Sequence, residues 1–155
     1  MNKEIIFFGG GSDLALNLAK NLTNCDIFSI SRKKNNIYKK NILVKNYSDK
    51  ELNKGLSKLN ETFDFIIIFN GIFNFSILSN FNEKKFIDVL RSNVIVPLNI
   101  VNKIIKNNLL KKNSSIFFLS SNASIKPEIG NAYYSISKNI LNFSSKILNK
   151  ENKKR

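Results

Sequence analysis

Apolar and polar positions alternate along this chain in blocks that switch between strand and helix character. The segment Glu4 to Phe8 is β-favouring and apolar from Ile5 onward, and it closes on Gly9-Gly10-Gly11, as a strand buried on both faces does. Ser12-Asp13 then offers an N-cap, and Leu14, Ala15, Leu18, Ala19 and Leu22 recur at helical spacing up to Asn24. Asp26 to Ile30 reads as a second strand, Arg32 to Lys40 as a polar basic loop, and Ile42 to Lys45 as a third strand. Asp49 to Asn60 carries Leu52, Leu56 and Leu59 on one helical face. The strongest strand signal, Asp64 to Phe69, stops at Asn70-Gly71. After a loop, Glu83 to Leu90 and Val94 to Leu110 predict two helices or one bent helix, with Pro97 early in the second. Ser115 to Leu119 predicts a fifth strand, and Ala132 to Asn149 a final helix with Ile136, Ile140, Phe143 and Ile147 along one face. Strands alternating with helices call for right-handed crossovers and a parallel sheet covered on both sides, a doubly wound α/β domain.

At 155 residues the chain is long enough for one core, so residues 1–155 are expected to form a single domain. No apolar run reaches the roughly 18 residues needed to cross a bilayer, and the stretch before Gly9 is too short for a secretory leader. A cytoplasmic protein with no membrane partner is the expectation. Cys25 is the one cysteine and there is no histidine, so neither an internal disulfide nor a zinc site is expected. The net charge of +14 changes the picture little. Its basic residues are scattered, with short clusters at Arg32-Lys33-Lys34, Lys39-Lys40, Lys111-Lys112 and from Lys150 to Arg155, and no aromatics are interleaved to stack on bases. The balance argues against a nucleic-acid partner.

Candidate chemistry begins at the glycine turn. Glycines at a strand end let the backbone turn sharply and approach phosphates, and the free N–H groups of the following helix favour negative charge. Gly9-Gly10-Gly11 and the helix start after them therefore form a candidate pyrophosphate site, although the usual G-x-G-x-x-G spacing would put glycine where Leu14 stands. At the end of the second strand, Ser31-Arg32-Lys33 has no carboxylate to hold a ribose 2′-hydroxyl and has a guanidinium for a 2′-phosphate, which favours NADP(H) over NAD(H). Tyr134 and Lys138 lie four apart on one face of the last helix. A phenol has a reference pKa of about 10, and a nearby ammonium favours its ionised form, so the pair is a workable general acid. Ser121, at the end of the fifth strand, places a hydroxyl where it could meet a substrate carbonyl.

In this order the motifs resemble the classical short-chain dehydrogenase/reductase family. They are Gly9 to Ala15, Asn70-Gly71, Asn93 before Val94, Ser120-Ser121, and Tyr134-Ser135-Ile136-Ser137-Lys138. The resemblance covers essentially the whole chain and implies a Rossmann-type sheet in the order 3-2-1-4-5. It implies hydride transfer between NADP(H) and a small carbonyl or alcohol substrate. Tyr134 would be proton donor or acceptor, Ser121 would orient the substrate oxygen, Lys138 would hold the nicotinamide ribose, and Asn93 would support a water leading from Lys138 to solvent. The turn from Gly9 through Gly11, Ser12 and Asp13 to Leu14 would contact the cofactor, with Ser31 and Arg32 at the adenosine ribose, Asn46 and Tyr47 near the adenine, and Asn70 and Gly71 beside the ribose. Tyr133 is the neighbouring phenol, but it stands five positions from Lys138 and off its face.

Asp13 and Ala15 stand where the family usually has glycine, and Asn46 where it usually has Asp. Family members also continue through a sixth strand, a Pro-Gly loop, a covering helix and a seventh strand, so the resemblance implies a chain truncated at Arg155. Family members often form dimers or tetramers, which implies a homo-oligomer. A second function of a different class keeps the same fold without catalysis: a dinucleotide-sensing or partner-binding protein.

Overall fold

The computed structural model of the chain describes residues 2–152, so Lys153, Lys154 and Arg155 of the basic tail lie outside the described residues. The strands are β1 (Lys3–Phe8), β2 (Cys25–Ser31), β3 (Lys40–Leu43), β4 (Phe63–Ile68) and β5 (Leu110–Phe118). The helices are α1 (Asp13–Asn21), α2 (Asp49–Leu56), α3 (Glu83–Leu90), α4 (Val96–Lys106) and α5 (Ala132–Asn152). The strands form one parallel sheet in the order β3-β2-β1-β4-β5, the order expected from the sequence. Among the described residues no helix is long and apolar enough to cross a membrane.

The chain divides into two compact units, one of residues 2–69 and 98–117, the other of residues 70–97 and 118–152. The first holds the sheet. In register, Ile5 pairs with Ile27 and with Phe65, and Phe7 with Ser29 and Ile67, so these side chains share one face of the sheet. Against that face pack Ala15 and Ala19 of α1, with Leu16, Leu18 and Leu22 around them. Ile6, Phe8, Phe28, Ile30, Ile66 and Ile68 point to the opposite face and are buried there. Gly55 of α2 approaches Ile30 and Val44 so closely that a Cβ would stand 3.1 Å from the Val44 methyl. Apolar residues on both faces of the central strands therefore serve two helix layers, the reason these strands read as apolar runs.

Several expectations shift. α1 stops at Asn21 rather than Asn24, where the backbone turns left-handed (φ 56°). β3 begins at Lys40, two residues before the expected Ile42. β5 begins at Leu110, five residues before the expected Ser115, and includes Lys111 and Lys112. Ion pairing explains the charged extension: the Lys111 ammonium lies 2.8 Å from Glu4 and 2.9 Å from Asp64, which hold its pKa up. The loop expected from Arg32 to Lys40 hides a core residue, since Tyr38 is buried against Phe7 with ring centroids 6.0 Å apart.

α3, in the second unit, is followed directly by a π turn, Arg91–Ile95, and then by α4, so no loop separates the two expected helices. Pro97 has no N–H to continue an α ladder, and the wider turn ahead of it accommodates that loss. α5 departs furthest from expectation. Its apolar stripe of Ile140, Phe143 and Ile147 faces outward, Phe143 being 64% exposed, while Tyr133, Ser135, Ser137, Lys138 and Leu141 are buried. The buried face is polar because its polar side chains have partners within the unit.

Candidate active site

The start of α5 is held by the loop that follows β4. Ser76 N–H donates to the Gly130 carbonyl at 2.9 Å, Ala132 N–H to the Ser76 carbonyl at 3.2 Å, and Tyr133 N–H to Ser76 Oγ at 3.0 Å. Gly130 is required there twice over: its φ is +92°, and a Cβ would lie 2.5 Å from the Phe75 ring.

From that anchored start, consecutive tyrosines diverge. Tyr133 is 1% exposed and packs on Phe81 and Phe86, and its hydroxyl oxygen accepts the Asn82 N–H that opens α3. Tyr134 is partly exposed, its ring in edge contact with Phe73 at 5.5 Å between centroids. Lys138, one turn on, has its ammonium 5.6 Å from the Tyr134 ring centroid. Helical spacing thus turns one phenol into the core and leaves the other beside the lysine.

Lys138 is 2% exposed, and burial pushes its pKa below that of an ordinary lysine. Its ammonium donates to the Leu119 carbonyl at 2.8 Å. Gly71 leaves it room, since a Cβ on Gly71 would stand 3.2 Å from Lys138 Nζ and 3.3 Å from Asn93 Oδ1. Asn93 lies in the π turn, fully buried, and its amide clamps the end of the β4 loop. Oδ1 accepts Ile72 N–H at 2.7 Å, while Nδ2 donates to the Ile72 carbonyl and to Ser137 Oγ, each at 2.9 Å. Ser137 donates in turn to the Tyr134 carbonyl at 2.7 Å. Asn70 Oδ1 is buried without a hydrogen-bond partner. Ser121 stands two residues past the Leu119 carbonyl that Lys138 grips, its Oγ accepting Ala123 N–H at 3.2 Å. The second unit therefore collects Asn70, Gly71, Asn93, Ser121, Tyr134 and Lys138 from four separate stretches of chain: the loop after β4, the π turn, the loop after β5 and α5.

The remaining candidates belong to the first unit, at the C-terminal end of its sheet. Gly9 has φ +80° and donates its N–H to the Ile30 carbonyl at 3.1 Å, which bends the chain out of β1. Gly10 is buried, and a Cβ there would lie 2.3 Å from Ser29 Oγ. The Tyr38 hydroxyl donates to the Gly10 carbonyl at 2.5 Å. Ser12 caps α1, its Oγ accepting Ala15 N–H at 3.3 Å, and Asp13 and Leu14 open the helix on its exposed side. Gly11 faces the stem of Lys33, 3.2 Å from where its Cβ would be. Ser31 is buried and occupied, donating to the Lys33 carbonyl at 2.6 Å and accepting from Asn41 at 2.9 Å. Arg32 is exposed. Asn46 is exposed with Oδ1 accepting Ser48 N–H, and the Tyr47 hydroxyl donates to the Ile30 carbonyl.

No protein-family model matches the chain, and no curated protein matches its sequence. Solved structures do. The chain superposes on a carbonyl reductase from Pseudomonas aeruginosa with a TM-score of 0.83 at 14% identity, over 97% of this chain and 74% of that one. A short-chain dehydrogenase/reductase from Vibrio parahaemolyticus gives 0.80 at 15% identity, over 95% of this chain and 74% of that one. A short chain dehydrogenase family protein from Francisella tularensis gives 0.76 at 19% identity, over 91% and 60%. The fold is that of the short-chain dehydrogenase/reductases. The chain spans 60% of the length of the Francisella structure, less than two thirds of it.

Within this short-chain dehydrogenase/reductase fold, sequence reading missed the residues that hold the candidates in place. Tyr38 beneath the glycine turn, Ser76 and Gly130 at the start of α5, and Ser137 between Asn93 and Tyr134 were all unassigned. Only Gly130 carries a local signal, a glycine two residues ahead of a helix.

Proposed function

We propose that this chain belongs to the short-chain dehydrogenase/reductase family and binds NADP(H) for hydride transfer to or from a small carbonyl or alcohol, with Tyr134 as general acid or base. The observation that carries the proposal is the buried Lys138 ammonium, 5.6 Å from the ring of a partly exposed Tyr134 whose neighbour Tyr133 is committed to the core. A buried cation needs compensation. Here it has one carbonyl partner and a phenol beside it, an arrangement that core packing alone would not favour.

Each unit holds residues suited to part of a nicotinamide dinucleotide. The amides of Asp13 and Leu14, in the first turn of α1, have no partner inside the helix and suit a pyrophosphate, and the unpartnered Asn70 Oδ1 suits a ribose hydroxyl. Asp13 adds a carboxylate at the same helix start, which opposes a second negative group. Arg32, exposed just past β2, is the group for a 2′-phosphate. The cofactor supplies or accepts the hydride.

The chain's own residues then handle one oxygen and one proton. In reduction, Tyr134 gives its phenolic proton to the substrate oxygen as the alcohol forms, and in oxidation it takes that proton back. Ser121 keeps its hydroxyl proton for the same oxygen, because its Oγ already accepts Ala123 N–H. Lys138, with its pKa lowered by burial, more readily passes a proton onward than a solvated lysine does. Asn93 acts as a positioning residue. Its amide is spent on Ile72 and Ser137, so a water leading from Lys138 would rest on its backbone.

The test is a fluorescence titration with NADPH and with NADH, on the wild type and on Arg32→Ala. NADPH should bind more tightly, and the variant should lose about tenfold, the size of a charge-assisted hydrogen bond. In NADPH-dependent reduction of 4-nitrobenzaldehyde, Tyr134→Phe should lower kcat by about 10²- to 10⁴-fold and leave NADPH affinity unchanged. Binding of neither cofactor would refute the proposal.

A further inference from the structure

α5 carries a second set of polar side chains past Lys138 that the reaction just described does not use. Asn142 stands eight positions beyond Tyr134 on the same helix. Its Nδ2 lies 2.7 Å from Ser124 Oγ and its Oδ1 2.6 Å from Ser120 Oγ. Ser124 Oγ lies 2.6 Å from the Ser121 carbonyl. Asn139, one turn earlier, donates to the Ser124 carbonyl at 3.0 Å.

Chemistry fixes the direction of every bond in this chain. The Ser121 carbonyl can only accept, so Ser124 must spend its one proton there. Ser124 Oγ must then accept from Asn142, which orients the amide with its oxygen toward Ser120, and Ser120 donates to that oxygen. Each group is used once, and no solvent-facing alternative keeps all three bonds. Ser124 is 6% exposed. The loop that carries Ser121 is thus held by α5 at the Leu119 carbonyl through Lys138, at Ser120 and Ser124 through Asn142, and at Ser124 through Asn139.

We propose that Asn142 is a positioning residue for Ser121, acting through the hydroxyl of Ser124. The helix that carries Tyr134 and Lys138 thereby also sets where the Ser121 hydroxyl points. A single rigid element then controls both groups that meet the substrate oxygen, as positioning within a fraction of an ångström requires. The proposal rests on the reading of Ser121 as the residue that hydrogen-bonds substrate, and its test separates the two.

Three variants are compared with wild type: Asn142→Leu, Asn142→Asp and Ser124→Ala. Asn142→Asp keeps the side-chain size but can only accept, so the Ser124 hydroxyl turns to the carboxylate and releases the Ser121 carbonyl. Ser124→Ala removes one oxygen and serves where Asn142→Leu fails to fold. Amide hydrogen exchange is read first, because it needs no activity. The amides of Ala123 and Ser124, which bond to Ser121, should exchange about tenfold faster in Asn142→Asp and Ser124→Ala, the effect of one hydrogen bond, while the buried turn around Leu141 keeps its protection. Unchanged exchange at Ala123 in both variants would overturn the proposal.

Kinetics with NADPH and 4-nitrobenzaldehyde are read second. kcat should fall about five- to tenfold with NADPH affinity unchanged, and adding Asn142→Asp to Ser121→Ala should cost nothing more. Additive losses would show that Asn142 does not act through Ser121 and would sink the positioning role. If wild type reduces the aldehyde and Ser121→Ala does so equally well, the assignment of Ser121 fails, and the exchange data still decide whether Asn142 holds it.

Discussion

Removing the Tyr38 hydroxyl tests how the glycine turn is held. Tyr38 is 6% exposed, stacks edge-on against Phe7, and donates to the Gly10 carbonyl at 2.5 Å. Tyr38→Phe keeps the ring and strands that carbonyl in a buried setting, which costs about 1–3 kcal/mol. The same burial pushes the Tyr38 pKa up to about 12. That displacement has a signature that no other residue of the turn shares. Below pH 10 the phenol is protonated in both folded and unfolded chains, so the contribution of its hydroxyl is complete. Between about pH 10 and 12 the unfolded chain releases the proton and the folded one keeps it, so stability falls as pH rises. Two pKa units correspond to about 2.7 kcal/mol, or about 1.4 kcal/mol of loss by pH 11. Urea unfolding of wild type and Tyr38→Phe at pH 8 and at pH 11 measures this as a difference, in which the lysines that titrate in the same range cancel. The wild-type advantage should be about 1–3 kcal/mol at pH 8 and smaller by about 1.4 kcal/mol at pH 11. An advantage that is equal at both pH values would refute a buried, neutral Tyr38 hydroxyl.

Two further substitutions probe the close contacts around the candidate site. Asn93→Leu fits the space of a fully buried side chain but leaves Ile72 N–H, the Ile72 carbonyl and Ser137 without their partner, so the unfolding free energy should drop by about 2–5 kcal/mol, read by urea denaturation. Gly10→Ala sets a Cβ 2.3 Å from Ser29 Oγ and should cost about 1–3 kcal/mol. Adding Ser29→Gly should return most of that loss, and a double variant no more stable than the single one would show that the Tyr38 hydroxyl, 3.0 Å from the same point, is the obstruction instead.

What the sequence made legible was whatever depends on neighbours along the chain. The apolar run ending at Phe8, the three glycines and the Ser12 cap are local choices, and all three hold in the structure. The separation of Tyr134 from Tyr133 was also local, since four residues and five residues fall on different sides of a helix. What stayed hidden depends on partners distant in sequence. Nothing in Lys111-Lys112 reads as strand until Glu4 and Asp64, from two other strands, neutralise Lys111. Tyr38 looks like part of a basic loop because its partner, the Gly10 carbonyl, is 28 positions away. On α5, hydrophobic periodicity pointed to the wrong face. Ile140, Phe143 and Ile147 form the more apolar stripe, yet the buried one is Tyr133, Ser137, Lys138 and Leu141, because Asn93 and the Leu119 carbonyl satisfy its polar groups. A polar residue is cheap to bury once its bonds are made, so a pattern that scores only hydrophobicity fails where a helix carries chemistry inward. The face where periodicity fails holds Lys138 and adjoins Tyr134, the pair on which the proposed proton transfer rests.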